Sequence, residues 1–244
     1  MLPLGDENLP GRGIAWLTLG IIAVNVAVFV LLQLPNDKFT YGYSTIPKEI
    51  TTGMDIVGTQ HVRIDGDTVS IPEAPGPRPI YLTLLTSMFM HGGWLHLGGN
   101  MLFLFIFGDN VEHVFGQLFY LLLYLGAGLA GSMAQIWATP DSLIPNLGAS
   151  GAIAGVLGAY LILFPTNRVR VLAWYFVITV PAIVMIGLWA LLQFLNGFAS
   201  IAETAQTGGV AYLAHVGGFS VGVLIGLIGR AMGLARRGPR RYAY

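Results

Sequence analysis

Cysteine is absent from the 244 residues, which excludes a disulfide, a thiol nucleophile and a cysteine-held iron–sulfur cluster and leaves the redox compartment unmarked. Charge is scarce as well: 10% of the side chains are charged, against roughly 25% in a soluble domain. Twelve basic residues balance twelve acidic ones, so nothing in the net charge argues for a nucleic-acid or an acidic partner. Metal-site spacing is also missing. His91 and His96 are five apart rather than the four of an H-E-x-x-H helix, and no glutamate lies beside them to act as a base, so no metal site is expected.

What is present is apolar: 55% of the residues, for a mean hydropathy of +0.69. Apolar runs of spanning length or close to it cover about residues 13–34, 94–108, 117–138, 150–164, 170–196 and 210–233. The expected fold is all-α, a polytopic bundle of six transmembrane helices in one domain over 13–233, with the lipid bilayer as its surroundings. A cytoplasmic lead over residues 1–12, broken by Pro3 and Pro10, is expected to be disordered, and a basic cytoplasmic tail covers 234–244. The first run is too long for a signal-peptide core and lacks an A-x-A cleavage pattern, so it is expected to be retained.

Orientation follows from arginine. Arg12, Arg168, Arg170, Arg230, Arg236, Arg237, Arg240 and Arg241 fall on one side, while Lys38, Lys48, Arg63 and Arg78 are diluted among acids in a long loop over 35–79. The rule of basic residues inside makes both termini cytoplasmic and puts the long loop on the outer face. Within it, Val62, Ile64, Val69 and Ile71 alternate around Asp65-Gly66-Asp67, a hairpin signal. No chemistry is assigned to the loop, which reads as surface.

Ser150 stands where the polar loop ending in Pro145-Asn146 meets the apolar run that lasts until Pro165. Fifteen residues of helix are about 22 Å long at roughly 1.5 Å per residue, short of the about 30 Å of a bilayer core. Arg168 and Arg170 hold the far end at the surface, so the serine end is the sunken one. Glycines 151, 155 and 158 make a ridge on this fourth span, and the sixth carries Gly218, Gly222 and Gly226 on the stripe of His215. Facing ridges would bring His215 to Ser150, and an imidazole is the usual base for a serine nucleophile. Near the membrane the acids are Asp109, Glu112, Asp141 and Glu203, none on the sixth span or inside the fourth, which favours a Ser–His dyad over a triad. On the second span His96 and Asn100 share a face continued by Phe103 and Phe107; with backbone N–H groups at the start of the fourth span they can serve as oxyanion donors.

Each feature has a structural reading too. A serine at a helix start caps it, and His96, Asn100 and His215 can join helices. His91 reads as structural. The third span, with Gly126, Gly128 and Gly131, reads as a packing helix, and the fifth is expected to kink at Pro181, with Trp174 and Trp189 as interfacial anchors.

Taken together the motifs resemble those of the rhomboid intramembrane serine proteases, in the minimal six-helix bacterial form. Gly148-Ala149-Ser150-Gly151 matches the G-x-S-G nucleophile motif. His91, His96 and Asn100 match H-x4-H-x3-N on the second helix, and Ala214-His215 with Gly218 and Gly222 matches A-H-x-x-G-x-x-x-G on the sixth. The resemblance implies hydrolysis of peptide bonds in or near transmembrane segments of membrane-protein substrates, without metal or cofactor. It makes Ser150 the nucleophile and His215 the general base and acid, with His96, Asn100 and the Ser150 backbone N–H as the oxyanion hole. It implies a bacterial plasma membrane, with the site opening to the outer face and the fifth helix and outer loop admitting substrate. The sequence gives no oligomeric state. Two positions depart from the family pattern. Tyr81-Leu82-Thr83-Leu84 replaces a Trp-Arg pair, and Ala154 stands where an aromatic commonly stacks on the histidine. Two rivals differ in class: a non-catalytic rhomboid-like protein that binds membrane clients, and a small-solute transporter. The first lacks the serine or histidine, and the second needs an internal repeat that this chain does not show.

Overall fold

A computed structural model describes residues 2–9, 13–64, 67–202 and 211–234. In chain order the elements are strand β1 (Leu2–Asp6), helix α1 (Trp16–Val28, continued by a π-helical turn Phe29–Gln33), the short helices α2 (Asp37–Tyr43) and α3 (Pro47–Thr52), and strands β2 (Gly58–Ile64) and β3 (Asp67–Glu73). Then come α4 (Thr83–Thr86, between 3-10 turns), α5 (Trp94–Phe115), α6 (Gln117–Ala138), α7 (Ser150–Leu163), strands β4 (Arg168–Ala173) and β5 (Phe176–Pro181), α8 (Ala182–Ala202) and α9 (Tyr212–Ala231). The fold is mostly helical. Three helices are long and apolar enough to cross a bilayer, Trp16–Gln33, Gln117–Ala138 and Tyr212–Ala231, while Ser150–Leu163 is an apolar helix of 14 residues.

Helix α7 is the central element. Nearly every side chain from Gly151 to Tyr160 is buried, because α5, α6, α8 and α9 all pack on it. Small residues make this possible. A methyl group on Gly218 or Gly222 of α9 would collide with the carbonyl of Gly151 or Gly155, and one on Gly158 would meet the Phe219 carbonyl. The expected glycine ridges therefore do face each other, and the two backbones touch directly. Gly131 and Gly128 of α6 complete the close packing, against Ala214 and Met88.

The all-α expectation needs correction in two places. The run from 170 to 181 is not helix: β4 and β5 form an antiparallel hairpin, and β1 pairs on the other side of β4, with Leu2 opposite Leu172 and Arg168 opposite Pro181. Val169 and Val171 are fully buried while Arg168 and Arg170 are exposed, the period-two pattern of a strand with one face on the core. Pro181 ends β5 directly before α8, so it does not kink a helix. Trp174 sits in the turn between the strands with φ of 57°, and it is exposed.

The second correction is the N-terminal lead, where Leu2–Asp6 is a strand. Asp6 accepts hydrogen bonds from the Tyr160 hydroxyl and from Asn110 Nδ2, Asn8 Nδ2 donates to Asp109, and the Leu9 N–H donates to Asn110 Oδ1. Burial raises the Asp6 carboxyl above its usual range, against the lowering effect of the Tyr160 and Asn110 donors. Nearby, the Glu112 carboxylate accepts from the N–H groups of Leu17 and Thr18 at 3.1 and 2.7 Å. It thus satisfies orphan donors at the start of α1 and opposes the positive end of the helix dipole.

Strands β2 and β3 pair antiparallel from Gly58–Glu73 to Ile64–Asp67, as the alternation suggests; Asp65 and Gly66 of their connection lie outside the described residues. So do Arg12, Glu203 and the basic tail from Arg236 onward.

Candidate active site

The loop before α7 is pinned by the segments over 45–46 and 83–87. Thr45 and Asn146 exchange two backbone hydrogen bonds of 3.0 and 2.8 Å, and the Gly148 N–H donates to the Ser87 carbonyl at 2.9 Å. Thr45 Oγ1 donates to the Thr83 carbonyl and lies 2.9 Å from Ser87 Oγ. The long loop over 35–79 thus has a structural task, which its sequence did not reveal: Thr45 is buried and braces the turn that delivers Ser150. Thr83, in the stretch that departs from the family pattern, is part of that brace. Gly148 takes φ of 135°, a conformation that side chains rarely adopt, and a Cβ there would press on the His96 ring at 2.9 Å.

Ser150 Oγ and His215 Nε2 are 2.8 Å apart, joining the start of α7 to the first turns of α9. On the other edge of the ring, His215 Nδ1 is 2.7 Å from Oε1 of Gln193 on α8. A carbonyl oxygen only accepts, so Nδ1 carries the proton and the lone pair of Nε2 faces the serine hydroxyl. Trp189, one turn before Gln193, lies over the imidazole with ring centroids 5.9 Å apart and planes inclined by 37°. It also packs on Phe219 at 6.1 Å. Trp189, expected as an interfacial anchor, is half-buried and packs on these two rings. Its indole is the aromatic ring beside the imidazole among the described residues.

His96 and Asn100 stand on the adjoining face of α5. The Gly92 N–H donates to His96 Nδ1 at 3.2 Å, which puts the proton of a neutral His96 on Nε2, an atom on the side of Gly148. The amide nitrogen of Asn100 is buried with no hydrogen-bond partner. His91 is buried edge-on to His96 with centroids 5.1 Å apart. Gln33 fixes its backbone through bonds to both the N–H and the carbonyl. Its ring nitrogens have no partners, so its contribution is packing behind His96. Gly151 lies in the ridge against α9.

Of the acids weighed on the sequence, Asp109 and Glu112 bond the N-terminal segment and the start of α1. The partner of His215 is an amide, and a search confined to Asp and Glu passes over it. The spacing of Trp189 and Gln193, i and i+4 on one helix face, was the available signal.

A serine hydroxyl bonded to an imidazole, recessed in a bundle of apolar helices, defines an integral membrane protein with a hydroxyl–imidazole pair in its interior. Residues 79–232 match the family model described as Rhomboid domain. The chain belongs to the rhomboid family. It is 30% identical over 216 residues to Rhomboid protein 1, mitochondrial, of Saccharomyces cerevisiae, covering 86% of this chain and 52% of that one. It is 30% identical over 234 residues to RHOMBOID-like protein 6, mitochondrial, of Arabidopsis thaliana, covering 88% and 68%. To Rhomboid protease GluP of Bacillus subtilis it is 35% identical over 144 residues, covering 59% and 26%. The chain thus spans about half the length of the yeast relative. Two of these relatives are named as mitochondrial, so likeness lends no support to the bacterial plasma membrane inferred from the sequence; integral membrane is what stands.

Proposed function

We propose that this protein is an intramembrane serine endopeptidase that cleaves peptide bonds in or near transmembrane segments of other membrane proteins with a Ser150–His215 dyad. The observation that carries the reading is the 2.8 Å contact between Ser150 Oγ and an imidazole whose other nitrogen is already engaged. Kinship with a protein named as a rhomboid protease supports it.

In the first half-reaction Oγ bonds to the scissile carbonyl carbon while its proton passes to His215 Nε2. The resulting oxyanion accepts hydrogen bonds from His96 Nε2–H, Asn100 Nδ2–H and the Ser150 backbone N–H, groups placed for charge that develops only in the transition state. The C–N bond then breaks, and Nε2–H protonates the leaving amine. In the second half-reaction water attacks the acyl carbon as Nε2 removes its proton, the Oγ–C bond breaks, and Oγ recovers the proton. Every electron pair and proton is accounted for without a metal or a cofactor. The arginine distribution orients the Ser150 end toward the face opposite Arg168 and Arg170, and residues 13–233 act as one catalytic domain with six spans.

Purified protein in detergent should cleave a model transmembrane substrate, and a fluorophosphonate should form an adduct at Ser150. Both should vanish in Ser150→Ala, and cleavage should vanish in His215→Ala while each variant remains folded. Undiminished cleavage by either variant would refute the dyad.

A further inference from the structure

We infer that Gln193, backed by Trp189, is the positioning residue for the general base, filling with a neutral amide the place that a carboxylate holds in a Ser–His–Asp triad. The inference rests on the serine-protease reading of the site and extends it to a third helix.

Gln193 and Trp189 project from the same face of α8 onto the same ring. The amide carbonyl fixes the tautomer, and the indole limits tilt of the ring plane. Without them an imidazole that keeps its Ser150 contact can still rotate about its Cβ bond or carry its proton on Nε2, where it cannot accept from the serine. An amide suits this location better than an acid. In apolar surroundings a carboxylate beside a neutral imidazole is a charge without a counter-charge through most of the catalytic cycle, and such burial is costly. A neutral acceptor at 2.7 Å orients the ring with no buried charge. It also gives less stabilisation to the imidazolium when that forms, so the base works closer to its unassisted strength. Among the described residues, the other ionisable group acting on His215 is His96 of α5. A carboxylate introduced at 193 would therefore be the only acid among the described residues acting there.

Three measurements on the full chain in detergent test this. Gln193→Met keeps an unbranched side chain of similar length but removes the acceptor. It should lower kcat by about 10- to 100-fold, part of the 10²–10⁴ that a general base contributes, with KM little changed. Gln193→Glu keeps the shape and the acceptor and adds a negative charge, so it should retain cleavage while the acid limb of the kcat profile moves to higher pH by about one unit or more. Trp189→Phe should lower kcat less than Trp189→Ala. A residue that only packs would slow or destabilise the enzyme without moving that limb. If Gln193→Met turns over normally, or if the limb of Gln193→Glu stays in place, the positioning role is wrong and the dyad reading survives. If the unaltered protein neither cleaves nor takes a fluorophosphonate at Ser150, the enzymatic reading itself has failed. Should Gln193→Met not fold, the near-isosteric Glu variant decides.

Discussion

Gly222 of α9 faces the carbonyl of Gly155 on α7 with no room between them for a methyl group, and Gly218 stands in the same relation to Gly151. Gly151 directly follows Ser150, and Gly218 lies one turn beyond His215. Contact between the two backbones therefore sets the distance between hydroxyl and imidazole.

Gly218→Ala should accordingly act on the site without touching a reacting group. Its methyl group meets backbone, which cannot rotate aside, so the helices must part. Overpacking typically costs 1–3 kcal/mol, and the upper end is expected here. Separation also stretches the 2.8 Å Ser150–His215 contact. Fluorophosphonate labelling should slow sharply and the thermal midpoint should fall; labelling at the unaltered rate would show that something else holds the pair together.

Asn100→Ala tests the oxyanion donors. The Asn100 amide nitrogen is buried and has no partner in the resting protein, so its loss breaks no hydrogen bond and should leave the melting temperature nearly unchanged. Turnover should fall by about 10²–10³, the usual consequence of removing one oxyanion-hole donor. Parallel loss of stability and activity would instead make Asn100 a packing residue.

The pair at the centre was legible because glycine spacing on two separate runs is a geometric statement. Small residues at i, i+4 and i+7 on one run and at i, i+4 and i+8 on the other fix which faces meet, and with them the meeting of Ser150 and His215. Length of apolar run misled between 170 and 181, where Arg168-Val169-Arg170-Val171 alternates and Val177, Ile178, Thr179 and Val180 are β-branched; period and side-chain shape outweigh hydrophobicity there. Gln193 shares a helix face with Trp189, but neither its partner nor that of Thr45 could be read from the chain. The side-chain partner of Gln193 lies 22 residues away and those of Thr45 lie 38 and 42 away, and an uncharged polar side chain carries no mark of what it will bond.

Tyr160→Phe isolates the unexpected N-terminal strand. The Tyr160 hydroxyl donates to Asp6 and accepts from Asn167 Nδ2 at 3.3 Å, so its removal leaves the half-buried Asp6 carboxyl with Asn110 as its remaining side-chain donor among the described residues. A hydrogen bond to such a group is worth about 1.5–3 kcal/mol, and the thermal midpoint should drop accordingly. Tyr160 is ten residues beyond Ser150, about 15 Å along the helix, so labelling of Ser150 in the folded variant should be unaffected.

The long loop over 35–79 should show a pH dependence of its own. Both carboxylate oxygens of Glu73, at the end of β3, are buried without a hydrogen-bond partner. Burial pushes this carboxyl from 4.5 up to about 8, helped by repulsion from Glu49. Glu49 is itself pushed from 4.5 up to about 7 by burial, against the donation of the Ile56 N–H and with a smaller push from Asp55. Between these limits the folded loop binds more protons than the unfolded chain, so unfolding releases protons and stability declines as pH rises. The contribution is complete below about pH 4.5 and is lost as pH climbs through about 8. Amide exchange in β3, followed from pH 5 to 9 with the intrinsic rate divided out, should therefore show falling protection. Glu73→Gln, which mimics the neutral acid, should flatten that decline. Because Glu73 pairs with Gly58 in a hairpin separate in sequence from the Thr45 brace, the change should be felt in β2 and β3 before it reaches the loop that carries Ser150. Protection lost first around Asn146 would reverse that order and make Thr45 the weaker anchor.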